Sequence, residues 1–471
     1  MIANTTEAAS GYADFIGRKL SLVPPTGITG DVVLPANMKE HQVALTRWGL
    51  RRGRAAIFAD TGLGKMRMEL AWADAVRKHT GMPVMIHTPL AVAQQLAAEA
   101  RLIGLEATVC REATDVTDGI NITNYDRLHK FDTSIFGGVV LDESGCIKHH
   151  NTRTFLDLTE AYRATPFKLP ASATPAPNDW TELGTHAEFL GICTRTEMLS
   201  EYFCHDGAET QVWRLKKHAR SLFWKWVATW GAMVRRPSDL GFSDDGYILP
   251  PLEMFQHEID FEIVNDGQLF ATEAQSLSER RHARKMSASK RVQACAAQVN
   301  AEPNEAWVVW CDLNAEGDAL TAAIDGAVQV AGSDDIDTKE RRLMDFAAGR
   351  SRVLVSKPSI CGWGLNWQHS ARMAFVGVSD SYETFYQAVR REWRFGQPRP
   401  VHAHIFASRA EGAVVANIRR KEIDAALMAE QLSAETREAV TAEVVGLKRE
   451  TNNYNAARRI SVPSWLRSEA A

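Results

Sequence analysis

The chain has no apolar run approaching the length needed to cross a bilayer; the stretch Ala306-Trp307-Val308-Val309-Trp310 is strand-sized. Its first residues (MIANTTEAASGYADF) lack the basic start and long apolar segment of a signal peptide, so a cytoplasmic protein is expected. Cysteine is sparse, with seven residues at positions 110, 146, 193, 204, 295, 311 and 361 and no CxxC pair among them. That argues for reduced thiols and against structural zinc. Cys204-His205 has ligand chemistry, but two adjacent residues without nearby partners read as incidental. An excess of positive charge is missing too, since 54 Lys and Arg against 58 Asp and Glu leave a net charge of −4. A nucleic-acid partner would therefore have to meet a local basic groove rather than a general attraction. What is present, 45% hydrophobic and 24% charged residues over 471 positions, is a globular composition too long for one core, so two or three domains are expected.

Short apolar runs alternate with helical patterns in two blocks. The first holds runs 55–59, 83–87, 120–123, 138–142 and 167–171, the second 306–311, 327–331, 351–356, 373–378 and 401–406. This is the rhythm of parallel sheets covered on both faces, an α/β fold with two lobes. Between the blocks, over about 185–249, the pattern turns helical and aromatic, mixing Trp213, Trp224, Trp226 and Trp230 with Lys216, Lys217, Arg220, Lys225, Arg235 and Arg236. Such a mixture can bind nucleic acid by phosphate contacts and stacking. The tryptophan spacing suits one helix face, however, so a helical insertion with inward tryptophans and solvated cations is expected. Pro250-Pro251 marks the lobe boundary. The expected division is an extension (1–30), lobe one with the insertion (31–250), lobe two (251–426) and a helical tail (427–471). The tail carries Trp465-Leu466, which would dock on the body or meet a protein partner.

The chemistry starts at Ala59-Asp60-Thr61-Gly62-Leu63-Gly64-Lys65-Met66, between an apolar strand and a helix. Glycines there let backbone N–H groups close around phosphate oxygens at a helix N-terminus, and Lys65 would sit on the terminal phosphates. The following residue should be Ser or Thr, whose hydroxyl binds magnesium; here it is Met66. About 80 residues on, the apolar run Val139-Val140-Leu141 ends in Asp142-Glu143. Asp142 could hold the magnesium ion and Glu143 could orient and deprotonate an attacking water. Alone, two acids after a strand would read as the start of a capped helix. Placed after a phosphate loop, the catalytic reading wins.

Together these elements resemble the superfamily 2 helicases and translocases, specifically the chromatin-remodeller-like (Swi/Snf-type) branch with small bacterial and bacteriophage members. The loop is similar to that group's AxTGxGK motif, Asp142-Glu143 to the DExx box of DEAD/DEAH-type proteins, and Ser172-Ala173-Thr174 to the SAT motif that couples the nucleotide and nucleic-acid sites. Lys39-Glu40-His41-Gln42 resembles the Q-motif, implying that Gln42 reads adenine. His87-Thr88-Pro89-Leu90 and Thr123-Asn124-Tyr125-Asp126 resemble segments Ia and Ib, implying backbone phosphate contacts from Thr88, Pro89, Asn124 and Tyr125. In the second block, residues 359–367 with Gly364, Leu365 and Asn366 resemble the GxGLN of motif V, and Gln387–Gln397 resembles the QAxxRxxRxGQ of motif VI.

The resemblance implies two RecA-like parallel-sheet lobes of the P-loop NTPase class. ATP and Mg2+ would lie in the cleft, with Gln42, Thr61, Gly62, Leu63, Gly64, Lys65, Met66, Gly364, Asn366 and Gln387 around the nucleotide. Lys65, Asp142, Glu143 and the arginine fingers Arg391 and Arg394 would do the chemistry, with Asp142 on the metal. Nucleic acid, DNA rather than RNA, would lie across both lobes against segments Ia and Ib and residues 351–366, including Ser356 and Lys357. The expected activity is that of an ATP hydrolase moving along duplex DNA as a monomer. Met66 departs from the pattern: a thioether is a poor ligand for a hard ion, so slowed turnover with a raised magnesium requirement is expected. An RNA helicase and a non-hydrolysing ATP-dependent DNA clamp are the alternatives.

Overall fold

Apolar runs of four or five residues have room to bury both faces only inside a covered parallel sheet, and that is where they lie. The structure, a computed structural model, describes residues 23–89, 92–176, 179–206, 209–259, 277–361, 367–377 and 382–408, with Arg420, Arg437, Thr441 and Val444. Lobe one is a seven-stranded sheet ordered β3-β4-β2-β5-β6-β1-β9. Its strands are β1 (Ala56–Ala59), β2 (Val84–Thr88), β3 (Ala107–Val109), β4 (Ile120–Asn124), β5 (Gly138–Asp142), β6 (Phe167–Ala171) and β9 (Gly231–Val234). A separate antiparallel hairpin, β7 (Phe203–Asp206) and β8 (Glu209–Leu215), lies between the last two in sequence. Lobe two is a six-stranded sheet ordered β10-β15-β14-β11-β13-β12. It comprises β10 (Leu252–Ile259), β11 (Trp307–Cys311), β12 (Ala327–Val330), β13 (Val353–Ser356), β14 (Arg372–Val376) and β15 (Val401–Ser408). All neighbours within the two large sheets pair in parallel.

The ten expected strands all form. The segment 185–249 departs from expectation. It does contain helices Arg195–Tyr202 and Arg220–Ala228, but Gly231–Val234 pairs along β1 from Ala56↔Gly231 to Ala59↔Val234 and completes the lobe-one sheet. Four apolar residues directly after a tryptophan-rich helix are too few to show a period of their own. The tryptophans do pack inward: Trp224 and Trp230 are buried, Trp213 and Trp226 pack against the same core, and Lys217, Lys225, Arg235 and Arg236 are exposed.

Sheet order places the chemistry. β6 separates β1 from β5, and its Ala171 is in register with both Ile57 and Asp142. The phosphate loop after β1 and the Asp142-Glu143 turn after β5 therefore leave the same edge, two strand spacings or about 10 Å apart. That is the carboxyl edge, where ligands of open α/β sheets bind.

A buried ion pair anchors lobe two. Arg291 Nη2 lies 2.7 Å from Glu316 Oε1 with both side chains fully buried, and Glu316 Oε2 accepts the backbone N–H groups of Asp312 and Leu313. Glu316→Ala would take the carboxylate away from a buried guanidinium and from two N–H groups. We expect it to cost about 3–5 kcal/mol, read as a lowered urea midpoint for the lobe-two transition. Of the tail, Arg437 pairs with Asp239, Thr441 donates to the Asp239 carbonyl, and Val444 is buried against lobe one. Trp465 and Leu466 lie outside the described residues. No helix among the described residues is long and apolar enough to cross a membrane.

Candidate nucleotide site between the lobes

The loop after β1 is built to expose its backbone. Gly62 and Gly64 have φ of 95° and 84°, the left-handed region that only glycine adopts freely, and helix Lys65–Thr80 starts directly from Gly64. Asp60 Oδ1 accepts the Thr61 N–H at 2.6 Å. The Leu63 carbonyl meets Gln42 Nε2 at 3.0 Å and His41 Nε2 at 3.2 Å, while Gln42 Oε1 accepts the Lys39 N–H at 3.0 Å. The Gln42 amide thus joins the loop through Nε2 to the start of its own helix through Oε1, a positioning role that the adenine-reading expectation did not contain. A Cβ at Gly64 would collide with that amide. Gly64→Ala should therefore weaken nucleotide binding, with at least about a tenfold loss of affinity for a fluorescent ATP analogue, because strain and collision fall on one residue. Lys65 Nζ donates to the Ala59 carbonyl at 3.1 Å, across the mouth of the loop. Met66 is half-buried against the lobe-one core and offers no oxygen.

At the end of β5, Glu143 has φ of 55°, the one non-glycine residue with positive φ among those described. A strained backbone at the expected catalytic acid is the pattern of a functional turn. Asp142 is buried beside it. Burial and then the Glu143 charge push the Asp142 carboxyl up to about 6, against the Thr88 hydroxyl and Lys65, which favour its charged form. Thr88 Oγ1 donates to Asp142 Oδ2 at 2.7 Å, and the Tyr125 hydroxyl donates to the Asp142 carbonyl at 2.7 Å.

These contacts correct two side-chain expectations. Thr88 and Tyr125 turn inward to brace Asp142 rather than outward to phosphate, because a buried polar group satisfies itself on another strand of the same sheet. Asn124 is also buried, whereas Pro89 follows at the sheet edge, half-exposed. Ser172, after β6, donates its N–H to the Ile57 carbonyl, and its hydroxyl accepts the Thr174 N–H, with Ala173 between them. The SAT-like segment thus bonds to the strand that carries the phosphate loop.

Lobe two closes on this loop. Arg390 Nη2 lies 2.8 Å from Asp60 Oδ2, and the Tyr386 hydroxyl donates to Asp60 Oδ1 at 3.0 Å while accepting Arg390 Nε at 2.9 Å. Arg390 also lies over the rings of Tyr386 and Trp393. A Cβ at Gly62 would stand 2.9 Å from Phe395 Cβ, and Phe395 packs on Tyr247. Arg394 lies within electrostatic reach of Glu143; burial and the Arg390 charge push its pKa down to about 10, against Glu143. Arg394, one of the two arginines expected to face the nucleotide, thus feels a lobe-one charge. Arg391 is buried in lobe two, where its carbonyl accepts the Trp367 N–H. Gln387 is buried on the helix just before it, Tyr382–Val389. Gly364 and Asn366 lie outside the described residues.

The structure adds Asp60, Tyr386, Arg390 and Phe395, none of which the motifs single out. Their signal was only adjacency, since Arg390 precedes Arg391 and Asp60 opens the loop. Arg390→Ala should open the cleft, read as an increased radius of gyration in solution scattering.

Lys357, Asn314, Gly332 and Ser333 line a lobe-two cleft of about 350 Å3. The Ser356 side chain faces inward instead, donating to the Val330 carbonyl at 2.7 Å, a further correction to the phosphate-contact expectation.

The donor set fits a nucleotide with a hard cation. Two positive-φ glycines shape the loop, Lys65 stands at its mouth, and a buried carboxylate ends β5, two strands away. Among the described residues no group of three or more His, Cys, Asp or Glu side chains encloses a metal ion. Magnesium at a nucleotide needs no such cage, because phosphates and water supply most of its ligands. Compared by sequence, the chain matches no family model and no curated protein. Compared by structure, it is similar to the Sulfolobus solfataricus SWI2/SNF2 ATPase core in complex with dsDNA, with 15% identity and a TM-score of 0.40 over 90% of this chain and 99% of that one. A likeness at that level adds nothing to the two sheets themselves.

Proposed function

We propose that this protein is an ATP-dependent motor that moves along double-stranded DNA. One observation carries the reading: a second parallel-sheet lobe presses Arg390, Tyr386 and Phe395 onto the glycine loop of the first, with Arg394 near Glu143. A site split between two lobes makes their separation depend on what the loop holds.

In this reading Lys65 exchanges the Ala59 carbonyl for terminal phosphate oxygens, and the loop N–H groups hold the remaining phosphates. Magnesium, when bound, would neutralise phosphate charge, and Asp142 would hold it. Glu143 accepts the proton of the attacking water, its angle set by the left-handed backbone. Arg394 meets the negative charge that develops on the transferred phosphoryl group. Loss of the terminal phosphate removes the bond between Lys65 on one lobe and the arginine on the other, and the lobes part. Lys357 and the Asn314–Ser333 cleft on lobe two, with Pro89 on lobe one, would grip the DNA backbone, giving sequence-tolerant, salt-sensitive binding.

Met66 favours one second reading, a clamp that closes on DNA with ATP and turns over little. Triplex displacement on duplex DNA, without separation of a tailed duplex, supports the motor. Unwinding of a tailed DNA or RNA duplex supports a helicase, and ATP-dependent binding without displacement supports the clamp.

A further inference from the structure

Helix Lys65–Thr80 carries a carboxylate that nothing in the fold accounts for. Glu69 is 1% exposed, and neither carboxylate oxygen has a hydrogen-bond partner among the described residues. An acid buried for stability alone is ordinarily matched by donors, because an unmet buried carboxylate is costly. Glu69 also feels the charges of Asp142, Lys65 and Glu143, so it sits among the residues of the nucleotide site. It is not a stray core residue.

Its place on the helix explains what it could do there. Positions 66 and 69 lie three residues apart, on one helix face, separated by about 4.5 Å along the axis. Helical side chains lean toward the N-terminus, so a residue at 69 covers the turn that contains 66. A glutamate is long enough to span that rise. Its carboxylate therefore falls near the place where a hydroxyl on residue 66 would have stood. Met66 removes a hard oxygen ligand from the start of the helix, and Glu69 returns one from a turn below, on the side facing Asp142.

We propose that Glu69 is a magnesium ligand of the nucleotide site, supplying directly or through one water the oxygen that Met66 lacks. This rests on the nucleotide-site reading above. With Asp142 it makes two carboxylates, a number that suits magnesium held jointly with phosphates and water. It also changes the meaning of Met66: the site is rearranged, not stripped of a ligand, and metal affinity is kept.

The test measures metal binding rather than turnover. Mn2+ is titrated by electron paramagnetic resonance into the full chain with a non-hydrolysable ATP analogue, for the native protein, Glu69→Gln, Met66→Thr and the double variant. Nucleotide affinity in EDTA is measured in parallel. Glu69→Gln keeps the side-chain shape and puts no charge into the buried site, so folding is preserved. The proposal expects Glu69→Gln to weaken Mn2+ at least about tenfold, with metal-free nucleotide affinity within twofold of native. Adding Met66→Thr to Glu69→Gln should recover most of the loss, which a purely structural glutamate would not show. Unchanged Mn2+ affinity in Glu69→Gln, or a loss that Met66→Thr does not restore, overturns the assignment while leaving the nucleotide site in place. Absence of nucleotide binding by the native chain, with or without metal, overturns both.

Discussion

Arg394→Ala will lower the nucleic-acid-stimulated ATPase rate by about 10³-fold or more, with little change in the KM for ATP. An arginine that meets charge formed only in the transition state acts on kcat, and such arginines contribute about 10³–10⁵ in rate. Arg394 lies in the right place for this, on the opposing lobe within reach of the Glu143 charge. Arg394→Lys should recover only a small part of the rate, because a lysine presents one point charge where guanidinium presents a planar fork. Arg390→Ala provides the contrast. Arg390 is held by Asp60 and Tyr386, so its loss acts on lobe closure and should raise the KM for ATP as well as lower kcat. Equal kinetic effects of the two substitutions would show that both arginines serve closure and neither serves the transition state.

The second large effect belongs to Glu143. Glu143→Gln removes the proton acceptor while retaining size, and general-base catalysis contributes about 10²–10⁴ in rate. We expect kcat to fall by that factor with ATP affinity retained, and the variant to stay closed on DNA in the presence of ATP. Glutamine tolerates the left-handed conformation at φ 55° no worse than glutamate, so the turn itself is preserved. Loss of ATP binding in Glu143→Gln would mean that the residue shapes the turn instead of acting on water.

Much of this architecture is written locally. Runs such as Val139-Val140-Leu141 and Trp307–Cys311 are short and wholly buried in covered parallel strands, so their composition alone declares them. The strands that escaped notice are those whose burial depends on distant neighbours. Ala107–Val109 is a three-residue, half-buried edge, and Leu252–Ile259 carries Glu253, Gln256, His257 and Glu258 along the other sheet's edge. The glycine loop after β1 and the strand end at Asp142 were legible as structure because glycine torsions and strand-end acids leave a compact signature.

The clasp from Arg390 to Asp60 joins residues 330 positions apart, and no local pattern encodes it. Glu69 was hidden differently. Within KMRMELAWADAV it reads as one more polar helix residue, and only its burial without a partner makes it notable. Thr88, Tyr125 and Ser356 show the converse, since polar residues at or just after strand ends read as outward-facing until other strands of the sheet claim their hydroxyls.

The most direct test is the steady-state ATPase rate of the full chain alone and with single-stranded DNA, duplex DNA or RNA, set against Glu143→Gln. A DNA motor predicts a basal rate above that control and the largest stimulation by duplex DNA. A native rate no higher than that of Glu143→Gln with every nucleic acid would contradict the account.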